Sequence, residues 1–246
     1  MSEQVKKKLG SGEKPKLPSR FYKDVSVVDE GGQFAILLDG RPVRTRGKAR
    51  LAVPSTALAE AIADEWRAQG EEIDPRTMPI TKLANTAIEG VTGNEAAVID
   101  DILAHAGADL LCYRASGPEG LVARQGEHWD PVIAWAKDGL GAPLNLASGV
   151  VHVDQPETSL AALRRKIEEC NAYQLAALHV MTTLTGSALL PLALAHGALS
   201  PEAAWDAAHV DEDWQAGQWG EDAEAQARRE NRKRDFDAAV RVIGLC

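Results

Sequence analysis

The chain is short of the features that usually declare a chemistry. It has three cysteines, Cys112, Cys170 and Cys246, in 246 residues. They are odd in number, far apart and never spaced as CxxC, which argues against a disulfide framework and a zinc knuckle and points to a reducing compartment. No apolar run reaches the roughly 18 residues of a membrane span. The most apolar stretch, "GSALLPLALAHGAL", is too short and is interrupted by Pro191. The first twenty residues are charged and lack an apolar centre, so they do not read as a secretory signal. There is no GxSxG, no HExxH and no GxxxxGK[ST]; "LGSGEK" and "TLTGSALL" are only faint echoes of a phosphate loop. The six histidines are scattered. Nothing here argues for an enzyme, a cofactor or membrane insertion.

What is present is charge, unevenly placed. The net charge is −9. Residues 1–50 carry twelve Lys and Arg against six Asp and Glu, and the remainder carries fifteen against thirty. A basic front can mark nucleic-acid binding, but "RPVRTRGKAR" has no interleaved aromatics. No nucleic-acid partner is therefore expected. The acidic remainder would instead attract a basic protein surface.

The pattern along the chain is α+β: a small N-terminal antiparallel β domain followed by a larger all-α helical domain. Residues 1–19 read as a disordered basic tail, 20–80 as a small β domain with one helix, and 81–246 as a helical domain. "DVSVV", "QFAILL", "RPVRT" and "RLAV" are short strands, and Asp39-Gly40 is a hairpin turn in which both positions tolerate positive φ. Ser55 caps a helix with Leu58, Ile62 and Trp66 on one face. A further helix is expected to begin near Asp130-Pro131, with proline in its first turn. A break near Asn171 separates two helices. Ser200 caps another, with Pro201 at its first position.

The densest chemistry lies in "HVDEDWQAGQWGEDAE", His209 to Glu224, with six carboxylates, one histidine and two tryptophans and no Lys or Arg. As one continuous helix from 201 to 224, turning about 100° per residue, it would bring Asp206, His209, Asp213 and Glu224 within roughly 60° of one another. That is a possible metal stripe, and a metal-dependent enzyme built on Asp206, His209 and Asp213 is the alternative reading. The other acids ring the helix rather than converge, and no Glu-x-x-His pair completes a di-iron set. Trp205 and Trp219 would share a face opposite Trp214, so the helix must be sandwiched, break at Gly217 or Gly220, or expose an indole. An indole exposed among carboxylates suits a protein interface.

Several words in order resemble a known family: "RFYKDVSVV", "LDGRPVRT", "LAVPSTALAEAIADEWRAQGEEIDPRTMPITKLANTAIEG", "DLLCYRA", "QGEHWDP" and "WGED". They are similar to the F-type ATP synthase assembly chaperones that act on the alpha subunit. Arg20 to about Pro131 is covered almost continuously; beyond it the match rests on "DEDWQ" and "QWGEDAEA". Arg46, Ile80 and Glu89 depart from the usual proline, leucine and aspartate. The resemblance implies a chaperone without enzymatic activity or cofactor. It would bind the free alpha subunit until the beta subunit replaces it, and would be monomeric when free. Its place would be a bacterial cytoplasm, or the mitochondrial matrix in a eukaryotic relative. It also implies partner contacts at Glu212, Trp214, Trp219, Glu221 and Glu224, with Glu221 foremost. "DLLCYRA" and "MPIT" are structural on this reading, Cys112 being a small buried residue rather than a nucleophile.

Overall fold

The computed structural model describes residues 17–149, 151–219 and 223–246. The expected basic tail therefore lies largely outside the described residues. At its end, the Pro18 carbonyl accepts from the Ile73 N–H at 2.8 Å, and the Arg20 N–H donates to the Glu71 carbonyl at 2.8 Å.

Four antiparallel strands follow: β1 (Val25–Asp29), β2 (Phe34–Leu38), β3 (Arg41–Pro42) and β4 (Ala52–Val53). β1 lies on one side of β2, with Val25 opposite Leu38 and Asp29 opposite Phe34; β3 and β4 share the other side. The Asp39-Gly40 hairpin forms as the sequence predicts, with φ of 49° and 74°. The Asp39 carboxylate accepts the Lys23 and Asp24 N–H groups at 3.0 and 2.8 Å, tying the chain before β1 to the turn. So small a sheet cannot cover itself. Its inner residues Ile36, Leu38 and Val53 pack beneath α1 (Thr56–Arg67), which buries Leu58, Ala59, Ile62 and Ala63. Ser55 caps α1 by accepting the Leu58 N–H at 3.1 Å.

Glu65 near the end of α1 organises what comes next. Its carboxylate accepts the Ile80 and Thr81 N–H groups at 2.8 and 2.7 Å and the Thr81 hydroxyl at 2.7 Å. These are orphan donors of the first turn of α2 (Pro79–Thr86), and they favour the carboxylate, although burial outweighs them and pushes the Glu65 carboxyl up from its usual value. α2 runs on into a wider turn over Ala87–Val91, and α3 (Glu95–Gly107) follows. A short 3₁₀ turn, Leu110–Cys112, leads to β5 (Tyr113–Arg114).

α4 (Glu119–Leu140) begins eleven residues earlier than the expected start near Asp130 and carries Pro131 in its interior. The reason lies in its faces. Gln125, Trp129, Val132 and Ala136 are buried at continuous helical spacing across the proline, while Pro131 itself faces solvent. The hydrogen bond lost to proline therefore falls on the wet side of the helix, where water can replace it. β6 (Ala147–Ser148) pairs in parallel with β5.

The remaining elements are α5 (Glu157–Ile167), α6 (Ala172–Thr185), α7 (Leu189–Ala195), α8 (Pro201–Ala208), α9 (Val210–Trp219) and α10 (Ala223–Leu245). Asn171 divides α5 from α6 through a reciprocal capping box with Gln174. α7 is buried through Leu189, Leu190, Pro191, Leu192 and Ala193, as its all-round apolar sequence predicts. One continuous cluster of buried hydrophobic residues extends from Tyr22 to Val242. Among the described residues no helix is long and apolar enough to cross a membrane.

Asp109 ties the middle of this chain together from a fully buried position. It accepts the Leu111 N–H at 3.1 Å and the Ala188 and Leu189 N–H groups at 2.8 and 3.1 Å, joining the 3₁₀ turn to the start of α7. Burial pushes its carboxyl up from 3.8 to about 6, against the pull of the Ser187 side chain and these N–H donors. A raised acid contributes stability that is full below its unfolded value and is lost as pH rises through its folded value. Relative to Asp109→Asn, the wild type should therefore lose on the order of 3 kcal/mol between pH 4 and 7. Urea midpoints of both proteins across that range test this; parallel curves would refute it. Asp109→Ala, which orphans three buried N–H donors, should cost on the order of 3–5 kcal/mol at neutral pH.

Candidate docking surface

The acidic stretch is not one helix. α8 ends at Ala208, and His209 leaves the helical region with φ −116° and ψ 14° before α9 begins at Val210. His209 is packed rather than presented: it is 1% exposed, and its ring lies 4.0 Å from that of Trp205, centroid to centroid. Its Nδ1 is 2.7 Å from the Trp205 carbonyl, so Nδ1 carries the proton and donates. Nε2 is buried with no hydrogen-bond partner among the described residues, and the Glu212 carboxylate stands 3.9 Å away. Burial holds the imidazole below its usual 6.5.

The expected stripe of Asp206, His209, Asp213 and Glu224 therefore does not assemble. The break at His209 turns Asp206 out to solvent, and Asp213 is ion-paired with Arg229 of α10. Among the described residues no three His, Cys, Asp or Glu side chains are placed to hold a metal. Cys112 is buried, and burial pushes its thiol up to about 12, so it supplies no thiolate.

α9 is instead fastened to two neighbouring helices, α4 and α10. Toward α4, Asp211 accepts from the Gln125 amide at 2.7 Å, and Gln125 in turn accepts the Ala115 N–H at 2.8 Å. Toward α10, Glu212 lies 3.6 Å from Arg232, whose other arm donates to the Leu184 carbonyl at 2.6 Å. Trp214 is half-buried against the first turn of α4. A Cβ built on Gly120 would stand 2.7 Å from the Trp214 ring, so the indole occupies space that only glycine leaves open. Just before α9, Trp129 donates its indole N–H to the Ala207 carbonyl at 2.7 Å. Trp205, below α9, is capped by Phe236 at 5.2 Å and by the Lys233 ammonium at 5.6 Å.

Of the residues expected to meet a partner, Glu212 and Glu224 are exposed and Trp214 is half-buried. Glu224 stands in the first turn of α10, 3.4 Å from Arg228. Trp219 ends α9, and Glu221 and Gly220 lie outside the described residues. Between α8, α9 and α10 runs an open groove of about 650 Å³, lined by Trp205, by the cations Arg229, Lys233 and Arg234, and by the acids Asp213, Glu230 and Asp237. Its cationic wall was not foreseen. The basic run "RRENRKR" in α10 carried the signal, but only the fold aims it at the acids of α9.

A family model described as ATP12 chaperone protein matches residues 19–137. The crystal structure of Atp12 from Paracoccus denitrificans is 42% identical, with a TM-score of 0.87, and covers 93% of this chain and 98% of that one. The chain belongs to the ATP12 chaperone family. The crystal structure of a putative chaperone from Agrobacterium tumefaciens is 52% identical, with a TM-score of 0.90, over 93% of this chain and 86% of that one. The mitochondrial protein atp12 of Schizosaccharomyces pombe is 25% identical over 213 residues, 82% of this chain and 73% of that protein. The family model ends inside α4, so in this ATP12-family chain the likeness across the groove rests on the longer alignments to solved structures.

Gly120→Ala tests the seat of Trp214. Alanine would ordinarily favour a helix by about 1 kcal/mol over glycine. Here overpacking against the indole should reverse the sign and destabilise by about 1–2 kcal/mol. In a Trp214→Ala background the same change should become neutral or stabilising. A double-mutant cycle by urea unfolding that shows no coupling would refute the contact.

Proposed function

We propose that this chain is an assembly chaperone that holds the unassembled alpha subunit of the F-type ATP synthase head. It shields the alpha-subunit interface from aggregation until the beta subunit replaces it. The observation that carries this reading is membership of the ATP12 chaperone family. The geometry supports it: an open, charge-lined groove with an aromatic floor at Trp205 suits a protein surface. Subunits that alternate in a ring expose large sticky faces when unpaired. A protein that covers such a face and later yields it gains from polar, charge-steered contacts rather than a permanent apolar seal.

On this reading the docking residues are Glu212, Trp214, Trp219, Glu221 and Glu224, no catalytic step or cofactor is involved, and the free protein is a monomer. The site of action is a bacterial cytoplasm, or the mitochondrial matrix in a eukaryotic relative; the fission-yeast relative is named as mitochondrial.

A tagged protein passed through lysate should retain the alpha subunit and release it when purified beta subunit is added. Retention of a different subunit instead would overturn the assignment. Glu221→Lys should leave the melting temperature nearly unchanged and weaken alpha-subunit capture by about tenfold. Unaltered capture would remove Glu221 from the contact.

A further inference from the structure

A second charged surface lies at the other end of the chain, on the turn that joins β3 to β4. Arg41, Arg44, Arg46, Lys48 and Arg50 fall within ten residues, and all five are exposed. The turn is closed by the Thr45 N–H donating to the Ala49 carbonyl at 2.9 Å and the Lys48 N–H donating to the Thr45 carbonyl at 3.0 Å. Arg44 and Arg50 stand directly opposite each other as an antiparallel bridge. Like charges in that position repel across the strands.

Among the described residues, one of the five is neutralised by an acid. Arg50 is ion-paired with Glu30. Arg44 spends one N–H on the Lys48 carbonyl at 2.8 Å, and no carboxylate comes within ion-pair distance of Arg41, Arg44, Arg46 or Lys48 among the described residues. The two nearby acids are committed to the backbone. Asp39, in whose field Arg41 lies, accepts the Lys23 and Asp24 N–H groups. Glu89, in whose field Arg46 lies, accepts the Gly47 N–H at the tip of the turn. A Cβ at Gly47 would come 2.8 Å from that carboxylate oxygen, so a side chain there would make the end of Glu89 shift. The result is a pinned turn whose cations point outward and repel one another.

We infer that this turn is a second contact for the client and that it takes an acidic polypeptide segment. A repulsive cross-strand pair in which Arg50 has an acid partner and Arg44 has none among the described residues is the kind of local conflict that a bound anion relieves. A polypeptide fits better than a nucleic acid, because the turn has no aromatic to stack bases and the chain as a whole carries −9. A second copy of the chain fits poorly, because α9, the heart of its densest acidic stretch, has its acids tied up internally: Asp211 by Gln125, Glu212 by Arg232 and Asp213 by Arg229. Only the client's identity, not the acidic specificity, rests on the function proposed above.

The test compares wild type with the triple variant Arg41→Glu, Arg44→Glu, Arg46→Glu and its Gln counterpart, none of which touches Gly47 or Glu89. The probes are purified alpha subunit, a fluorescein-labelled glutamate-rich peptide, oligothymidylate and phosphatidylserine vesicles. Wild type should bind the acidic peptide in a salt-sensitive manner. The Glu triple should lose that binding and capture alpha subunit at least about tenfold less well, with the Gln triple between them. An unchanged melting temperature shows that folding is not the cause. Three outcomes overturn the inference: equal capture by all variants, tighter binding of oligothymidylate or vesicles than of the peptide, or wild-type self-association in sedimentation that the Glu triple abolishes. If alpha subunit proves not to be the client, the peptide measurement still decides the specificity of the turn, so the two readings fail separately.

Discussion

The structure depends on a single helix serving two partners. The C-terminal half of α10 (Ala223–Leu245) has one apolar, buried face: Phe236, Ala239 and Val242 pack into the helical core. Its end is held against the β region, where the Ser55 hydroxyl donates to the Leu245 carbonyl. The N-terminal half is basic, and there Arg229 and Arg232 hold the acids of α9. A helix with this split cannot be displaced at one end without consequence at the other. The groove beside Trp205 has a wall only because the apolar half of α10 fixes where the cationic half stands. Lys233 sits at the hinge of the two roles, its ammonium lying over the Trp205 and Phe236 rings and paired with Asp237.

Much of the fold was legible because its signals are local. The Asp39-Gly40 turn, the Ser55 and Ser200 caps and the Asn171 break each depend on a few adjacent residues and one or two hydrogen bonds, so a short window contains the whole cause. The start of α4 was not legible, because proline at 131 argues locally for a first turn while the burial of Gln125, Trp129 and Val132 argues over eight residues for an interior position. The tertiary argument wins when the lost hydrogen bond faces water. The break at His209 was hidden for a related reason. Nothing in "AAHVDED" forbids a helix. The kink exists because the imidazole is drawn onto Trp205, and that indole is itself positioned by Phe236, thirty-one residues further on.

The candidate site shows the same division. The acids and tryptophans of α8 and α9 were visible as composition, but their roles were not. Read on an ideal helix, Asp206, His209 and Asp213 converge; in the fold one faces solvent, one is buried and one is paired with arginine. Two glycines had no visible meaning in the sequence. Gly120 makes room for an indole and Gly47 for a carboxylate, and in each case the neighbour lies far along the chain. Such glycines differ from those at left-handed turns such as Gly40, which announce themselves through the residue before them.

Charge is the thread from these details to action. The acids of α9 are largely spoken for by Gln125, Arg229 and Arg232, so the surface they form is polar and nearly balanced rather than a bare anionic patch. A balanced surface binds by exchange: an incoming cation must displace an internal one, and each displacement returns most of what it costs. The net gain per contact stays small, and affinity accumulates from many weak exchanges rather than from one deep anchor. The basic turn behind Glu89 works in the opposite sense, because among the described residues Arg41, Arg44, Arg46 and Lys48 have no carboxylate partner to displace. A client touching both surfaces would be drawn in by the uncompensated turn and held reversibly by the compensated groove. Rapid capture with easy surrender is what a temporary guardian of a subunit interface requires.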